Sequence, residues 1–233
     1  MEGQKLIYIA DDEENIREAI KTFLMAEGFA VRTFESGDAL MEVFPNEPCD
    51  LLILDVMMPG LSGFEVCSGI REISTIPIIM LTARDSDIDY ATGLSLGSDD
   101  YFTKPFSAMS LIMRIKAIFR RIEFERQGTE TAKESELHFG EVVLNPKNKT
   151  AGGKSGAMEL TPNEFALLQY LMENKQNAVS REELLNKIWG YDSVVETRVA
   201  DDTVRRLRRK LAGSGVSVDT VWGYGFVLKE ESK

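Results

Sequence analysis

Five side chains scattered through the first hundred or so residues could together handle a phosphoryl group. Asp11, Asp12 and Asp55 are carboxylates, Thr82 is a hydroxyl and Lys104 an ammonium. Two or three carboxylates with open coordination positions suit Mg²⁺, which takes oxygen ligands, keeps waters and is commonly completed by phosphate oxygens. A lysine and a hydroxyl facing the same point would neutralise and orient a phosphoryl group there. Taken singly, each residue has an ordinary reading: an acid after a strand is often a helix N-cap, and Lys-Pro is often a solvated turn. What the chain lacks is equally informative. Two cysteines, Cys49 and Cys67, and one histidine, His138, cannot build a disulfide framework, a zinc cluster or a His-dependent triad.

The joint meaning of the five residues depends on the elements that carry them. Residues 6–10, 51–54 and 76–81 are nearly continuous aliphatic runs, the pattern of parallel strands buried on both faces. Residues 29–34 and 100–102 read as weaker strands. Helical periodicity fills 13–27, 36–44, 62–73, 85–96 and 107–124, and Ser62 with Glu65 forms a capping box at the third. Five repeats of strand then helix predict a flavodoxin-like α/β domain, a doubly wound five-stranded parallel sheet. All five candidate residues then stand at or just past carboxyl ends of strands, where such sheets bind ligands.

A polar stretch without periodicity marks 125–135 as a linker between a domain at 1–124 and another at 136–233. Beyond it come short strands at 142–144, 150–151 and 157–160, then three helices. Thr161-Pro162-Asn163-Glu164 opens the first and Ser180 with Glu183 the second. The third runs from 197 to 211, and a hairpin at 216–221 and 226–228 closes the chain. Three helices and a terminal hairpin spell a winged helix-turn-helix, an α+β unit. Ala151-Gly152-Gly153-Lys154-Ser155 imitates the end of a P-loop, but the pattern would need glycine where Asn148 stands.

Charge separates the halves. Residues 1–124 hold 21 acids and 11 bases, whereas residues 136–233 hold 14 of each. Within 198–210, Arg198, Arg205, Arg206, Arg208, Arg209 and Lys210 face only Asp201 and Asp202. Ala200, Val204, Leu207 and Leu211 form one apolar stripe, which puts Arg198, Asp202, Arg205, Arg206 and Arg209 on the opposite side of the helix. A guanidinium row on a helix-turn-helix frame reads as a major-groove element. No apolar run approaches the ~18–20 residues that cross a bilayer, and no signal-peptide layout opens the chain, so a cytoplasmic protein without membrane contact is expected.

Eight motifs, four in each half, now make a family resemblance specific. D-D-E at 11–13, L-I-L-D-V-M-M-P-G at 52–60, L-T-A at 81–83 and D-D-Y-F-T-K-P-F at 99–106 resemble the receiver domain of bacterial response regulators. L-T-P-N-E-F-A-L-L at 160–168, V-S-R-E-E-L-L at 179–185, V-R-R-L-R-R-K-L at 204–211 and W-G-Y-G-F at 222–226 are similar to the effector domain of the OmpR/PhoB subfamily. The resemblance implies a transcriptional regulator of a two-component system, not an enzyme in its own right, though slow autodephosphorylation would accompany it. Asp55 would accept a phosphoryl group from a sensor histidine kinase. Asp11, Asp12, Asp55 and the backbone carbonyl of Met57 would hold Mg²⁺. Thr82 and Lys104 would bind phosphoryl oxygens, and Tyr101 would be the aromatic switch that follows Thr82 inward.

It implies further that phosphorylation yields a homodimer on tandem promoter half-sites, where RNA polymerase is the further partner. Dimers of the subfamily pair through the fourth helix, fifth strand and fifth helix, and Asp99, Asp100, Arg114, Lys116 and Arg121 match the charge pattern of that face. Tyr90 and Ser110 stand where a basic and an acidic residue are expected, and Asp100 with Arg114 would be the strongest remaining pair across the two-fold axis. Asp202 replaces an aliphatic residue on the basic helix. It either accepts from a cytosine amino group or ties down Arg198 and Arg206. Trp222 sits at the wing tip, where some relatives place a minor-groove arginine. Two rival readings are an aspartyl-phosphate phosphatase, which wants a second acid where Met57 stands, and a constitutive DNA binder with a vestigial receiver.

Overall fold

Aliphatic runs that cannot alternate polar and apolar faces must be covered on both sides, and a parallel sheet does this. The computed structural model describes residues 4–83, 97–127, 136–154, 156–175, 177–190 and 199–231. Its chain divides into two compact units, Met1–Ile115 and Lys116–Lys233. In the first, strands β1 (Leu6–Ala10), β2 (Ala30–Phe34), β3 (Leu51–Asp55), β4 (Ile78–Ala83) and β5 (Asp100–Lys104) are all parallel, in the order β2-β1-β3-β4-β5. Every residue of β3 is buried. The order reverses between β1 and β3, which is where a doubly wound sheet opens a ligand crevice.

Register brings the strand ends side by side. Ala10 pairs with Leu54, Asp55 with Leu81 and Ala83 with Lys104. Helices α1 (Glu14–Ala26), α2 (Gly37–Val43) and α3 (Gly63–Ile73) return the chain between strands. The capping box predicted for α3 is present: the Ser62 hydroxyl accepts from the Glu65 N–H, and the Glu65 carboxylate accepts from the Ser62 N–H. Gly63 follows directly, and a Cβ there would overlap the backbone carbonyl of Asp55, so the start of α3 is seated against the end of β3.

The predicted helix at 85–96 lies outside the described residues. Helix α4 (Ala108–Gln127) runs three residues past the expected boundary at 124. Residues 124–127 contain no helix breaker, and the next glycine comes only at Gly128, so helical propensity carries α4 through Gln127.

Beyond α4, the second unit carries an antiparallel sheet, β6 (Leu137–Phe139), β7 (Val142–Asn145), β8 (Thr150–Gly153) and β9 (Gly156–Met158). Gly152 and Gly153 lie in β8 and pair with β9, so no P-loop forms there. Helix α5 (Pro162–Glu173) starts with the predicted Thr161–Glu164 capping box. The two-residue strand β10 (Val179–Ser180) leads into α6 (Arg181–Leu184), capped by Ser180, and a π turn (Leu185–Trp189) that stops at Gly190 in the left-handed region, φ 70°. Helix α7 (Val199–Leu211) buries the predicted stripe of Ala200, Val204, Leu207 and Leu211. Strands β11 (Val216–Val221) and β12 (Gly225–Glu230) form the closing hairpin, and β12 also pairs with β10.

Candidate functional site

Asp11 immediately follows β1, Asp55 ends β3, Thr82 lies near the end of β4 and Lys104 ends β5. One carboxylate oxygen each from Asp11, Asp12 and Asp55 lies within 4.8 Å of the others. Asp11 and Asp55 are buried, while Asp12 is exposed. Lys104 Nζ spans the first two, 2.8 Å from Asp11 Oδ2 and 2.9 Å from Asp55 Oδ1. The oxygen-only donor set, open on the Asp12 side and already gathering a cation, fits a hard divalent ion.

Local hydrogen bonds fix these side chains. The Met57 N–H donates to Asp55 Oδ2 at 3.0 Å, and the Glu13 N–H donates to Asp11 Oδ1 at 2.9 Å. Burial pushes the Asp55 carboxyl above the ordinary carboxylate range, against the opposing pull of Lys104. Burial alone would lower Lys104, but the carboxylates of Asp11 and Asp55 outweigh it and hold the ammonium above its usual range. Thr82 is buried one step before the end of β4, and Tyr101 is half-buried against the apolar core.

The second cluster is the basic helix α7. Arg205 and Arg209 are exposed, and Arg205 Nη2 lies 2.8 Å from Asp202 Oδ1. Arg206 corrects the expected row. It is only 4% exposed, its Nε donates to Glu164 Oε1 at 2.9 Å and its Nη2 to Thr203 Oγ1 at 3.2 Å. A long side chain starting near the edge of the polar face reaches back between helices to the capping glutamate of α5. Lys210 joins the same carboxylate, 2.6 Å from Glu164 Oε2, and Arg208 donates to Val218 O. Arg206, Arg208 and Lys210 therefore serve the fold. Asp202 is buried and pairs with Arg205, and Arg198 lies outside the described residues.

Comparison with known proteins bears on both clusters. Residues 7–116 match the response regulator receiver domain, and residues 154–228 match the C-terminal domain of transcriptional regulatory proteins. YclJ, an uncharacterised transcriptional regulatory protein of Bacillus subtilis, is 38% identical over 227 residues, covering 97% of this chain and 99% of its own. The alkaline phosphatase synthesis transcriptional regulatory protein PhoP of the same organism is 37% identical over 233 residues, 97% of each chain. The chain belongs to the OmpR/PhoB family of response regulators. Among solved structures, the response regulator DrrB of Thermotoga maritima, an OmpR/PhoB homologue, matches with TM-score 0.52 and 28% identity over 97% of this chain and 100% of that one. This response regulator is thus a transcriptional regulator of the two-component class, with a receiver and a DNA-binding domain.

Within the receiver, three residues expected at the dimer face, Asp99, Asp100 and Arg114, make buried ion pairs inside the single chain. Asp99 is fully buried, 2.8 Å from Arg71 Nη2, and accepts from the Ile78 N–H at 3.0 Å. Asp100 lies 2.6 Å from Arg114 Nε, and both are buried, so within the chain this pair ties β5 to α4. The reason is register: β5 begins at Asp100, directly against the helix that carries Arg114. Ser110 and Lys116 are exposed, Tyr90 lies outside the described residues, and the side chain of Arg121 does too. Sequence reasoning missed Glu13 as a third carboxylate on Lys104, at 3.2 Å. It also missed Arg181, whose guanidinium pairs with Asp201 at 2.9 Å. Both contacts link distant segments and leave no local signal.

Proposed function

We propose that Asp55 is the phosphoacceptor of this response regulator and that its phosphorylation drives dimerisation on tandem promoter half-sites. The observation that carries the reading is the Lys104 ammonium bridging the carboxylates of Asp11 and Asp55 at two strand ends. An Asp55 oxygen attacks the phosphorus of the sensor kinase's phosphohistidine; a P–O bond forms, the P–N bond breaks, and the nitrogen leaves with its electron pair. Transfer of this kind needs alignment and positive charge rather than a proton shuttle. Asp11, Asp12, Asp55 and the Met57 carbonyl would hold Mg²⁺, which supplies charge neutralisation at the transferring oxygens when bound. Thr82 and Lys104 bind the transferred oxygens, and Tyr101 moves with Thr82. Slow hydrolysis by water resets the switch.

In this reading 1–124 is the receiver, the linker ends at 135 and 136–233 is the DNA-binding domain, with Arg198, Asp202, Arg205, Arg209 and Trp222 toward DNA. Dimerisation uses the face made by the predicted helix at 85–96, β5 and α4, to which Tyr90, Ser110, Lys116 and Arg121 contribute; RNA polymerase is the further partner, in the cytoplasm. Labelling the full chain with acetyl phosphate, with and without Mg²⁺, followed by sedimentation, tests it: label that needs no Mg²⁺, or a labelled protein that stays monomeric, contradicts it.

Lys104→Ala is expected to leave acetyl-phosphate labelling measurable while removing most of the gain in DNA affinity that phosphorylation brings, because a charge-assisted bond worth about 1.5–3 kcal/mol no longer links the phosphoryl group to β5. Comparing DNA titrations of labelled and unlabelled mutant reads this directly. Arg205→Ala and Arg209→Ala should each weaken DNA binding and flatten the plot of log K against log salt by about 0.9 for each phosphate that is no longer neutralised. Unchanged slopes in both would place the exposed face of α7 away from DNA.

A further inference from the structure

The wing between β11 and β12 has no charged side chain from Thr220 to Leu228. At its tip Trp222 is 93% exposed and Tyr224 50%, whereas the other tryptophan, Trp189, is 3% exposed. Two rings left in water on one turn form an apolar patch of the kind that marks an interaction site. The hairpin is fastened to the basic helix. Arg208 of α7 donates Nε to Val218 O at 2.7 Å and Nη2 to Thr220 Oγ1 at 2.8 Å, both on β11. Arg181 pairs with Asp201 of α7, lies 4.6 Å over the Phe226 ring of β12, and its backbone N–H donates to Tyr224 O at 3.2 Å. Two arginines thus make wing and helix one body.

A ring held rigidly beside a DNA-reading helix meets the same ligand as that helix. Apolar side chains can wedge between base steps, and ring faces stack on bases of any sequence. We propose that Trp222 is an aromatic wedge for duplex DNA, stacking in the groove beside the one that α7 enters with Tyr224 behind it. Its contribution neutralises no phosphate, so salt leaves it intact. The proposal rests on the DNA-binding reading of α7.

The test uses the full chain phosphorylated with acetyl phosphate and a duplex recovered by selection from random DNA, titrated at several salt concentrations. Trp222→Ala should weaken binding about five-fold or more, the lower end of what stacking a ring on a base contributes, with an unchanged salt slope. Trp222→Arg should restore affinity and steepen the slope by about 0.9. In the wild-type complex the Trp222 fluorescence, obtained by subtracting that of Trp222→Phe, should become shielded from acrylamide. Emission from buried Trp189 verifies that each variant is folded. Wild-type affinity in Trp222→Ala, a shallower slope, or an indole still open to acrylamide at saturating DNA overturns the wedge. So does shielding on phosphorylation without DNA, which would assign the tip to a protein surface. Binding lost in Arg205→Ala and Arg209→Ala but unmoved in Trp222→Ala defeats the wedge alone; no binding to any duplex defeats the reading beneath it.

Discussion

Asp55→Asn is expected to take up no phosphoryl group from acetyl phosphate or a phosphorylated kinase, and to lose phosphorylation-dependent DNA binding with it. The amide oxygen can still accept from Lys104 but is no nucleophile, so the loss should be complete rather than graded, whereas removal of a supporting group lowers a rate. The fold should persist. Asp55 sits at the open end of a buried strand where burial already opposes its charge, and asparagine removes that charge at almost the same volume. The bond from the Met57 N–H to Oδ2 is the interaction at stake, since the amide must turn to keep it. A neutral hydrogen bond is worth only ~1 kcal/mol, too little to unfold the unit. Phosphate-affinity electrophoresis of the mutant, with its melting curve alongside, checks both halves. Labelling at the wild-type rate would remove Asp55 from the role, and a collapsed melting transition would void the comparison.

What the sequence discloses about this molecule tracks how local each signal is. Ser62 with Glu65, and Thr161 with Glu164, are capping boxes because the partners are three residues apart, and both form as read. The aliphatic runs of β1, β3 and β4 are legible because burial on both faces leaves no alternation to misread. The short strands Leu137–Phe139 and Val179–Ser180 escape because two or three residues carry no period. Charged side chains are the hardest case. Helical geometry places Cβ of Arg206 toward the polar side, but a guanidinium several bonds away chooses its own partner, and Glu164 is 42 residues distant. Asp99 and Asp100 read as surface charges for the same reason, until Arg71 and Arg114 arrive beside them. The gathering of Asp11, Asp55 and Lys104 was accessible only because strand ends, unlike side-chain reach, follow from topology.

The second large effect follows from that misplaced arginine. Glu164 serves two functions: its carboxylate accepts from the Thr161 N–H as the helix cap, and it takes the Arg206 and Lys210 cations in a buried site. Burial pushes its carboxyl up, but Arg206 and Lys210 outweigh it and the group ends below the ordinary range. A folded pKa below the unfolded one stabilises fully above the unfolded value and is lost as pH falls through the folded one. Arg206→Ala should therefore destabilise the DNA-binding unit toward the low end of the about 3–5 kcal/mol that breaking a buried pair costs, because Lys210 still neutralises part of the Glu164 charge. Glu164→Gln, which strands the guanidinium but keeps an oxygen for the cap, should cost nearly as much and remove part of the acid dependence. The double change Glu164→Gln with Arg206→Met should recover much of the loss, because no buried charge is then left without its opposite except Lys210, which can turn to water. Both tryptophans, Trp189 and Trp222, lie in the second unit, so denaturant unfolding followed by tryptophan fluorescence reports on this unit alone. A groove-reading Arg206 would give the opposite pattern, unchanged unfolding with a shallower salt dependence of DNA binding, and that result would return it to the recognition surface.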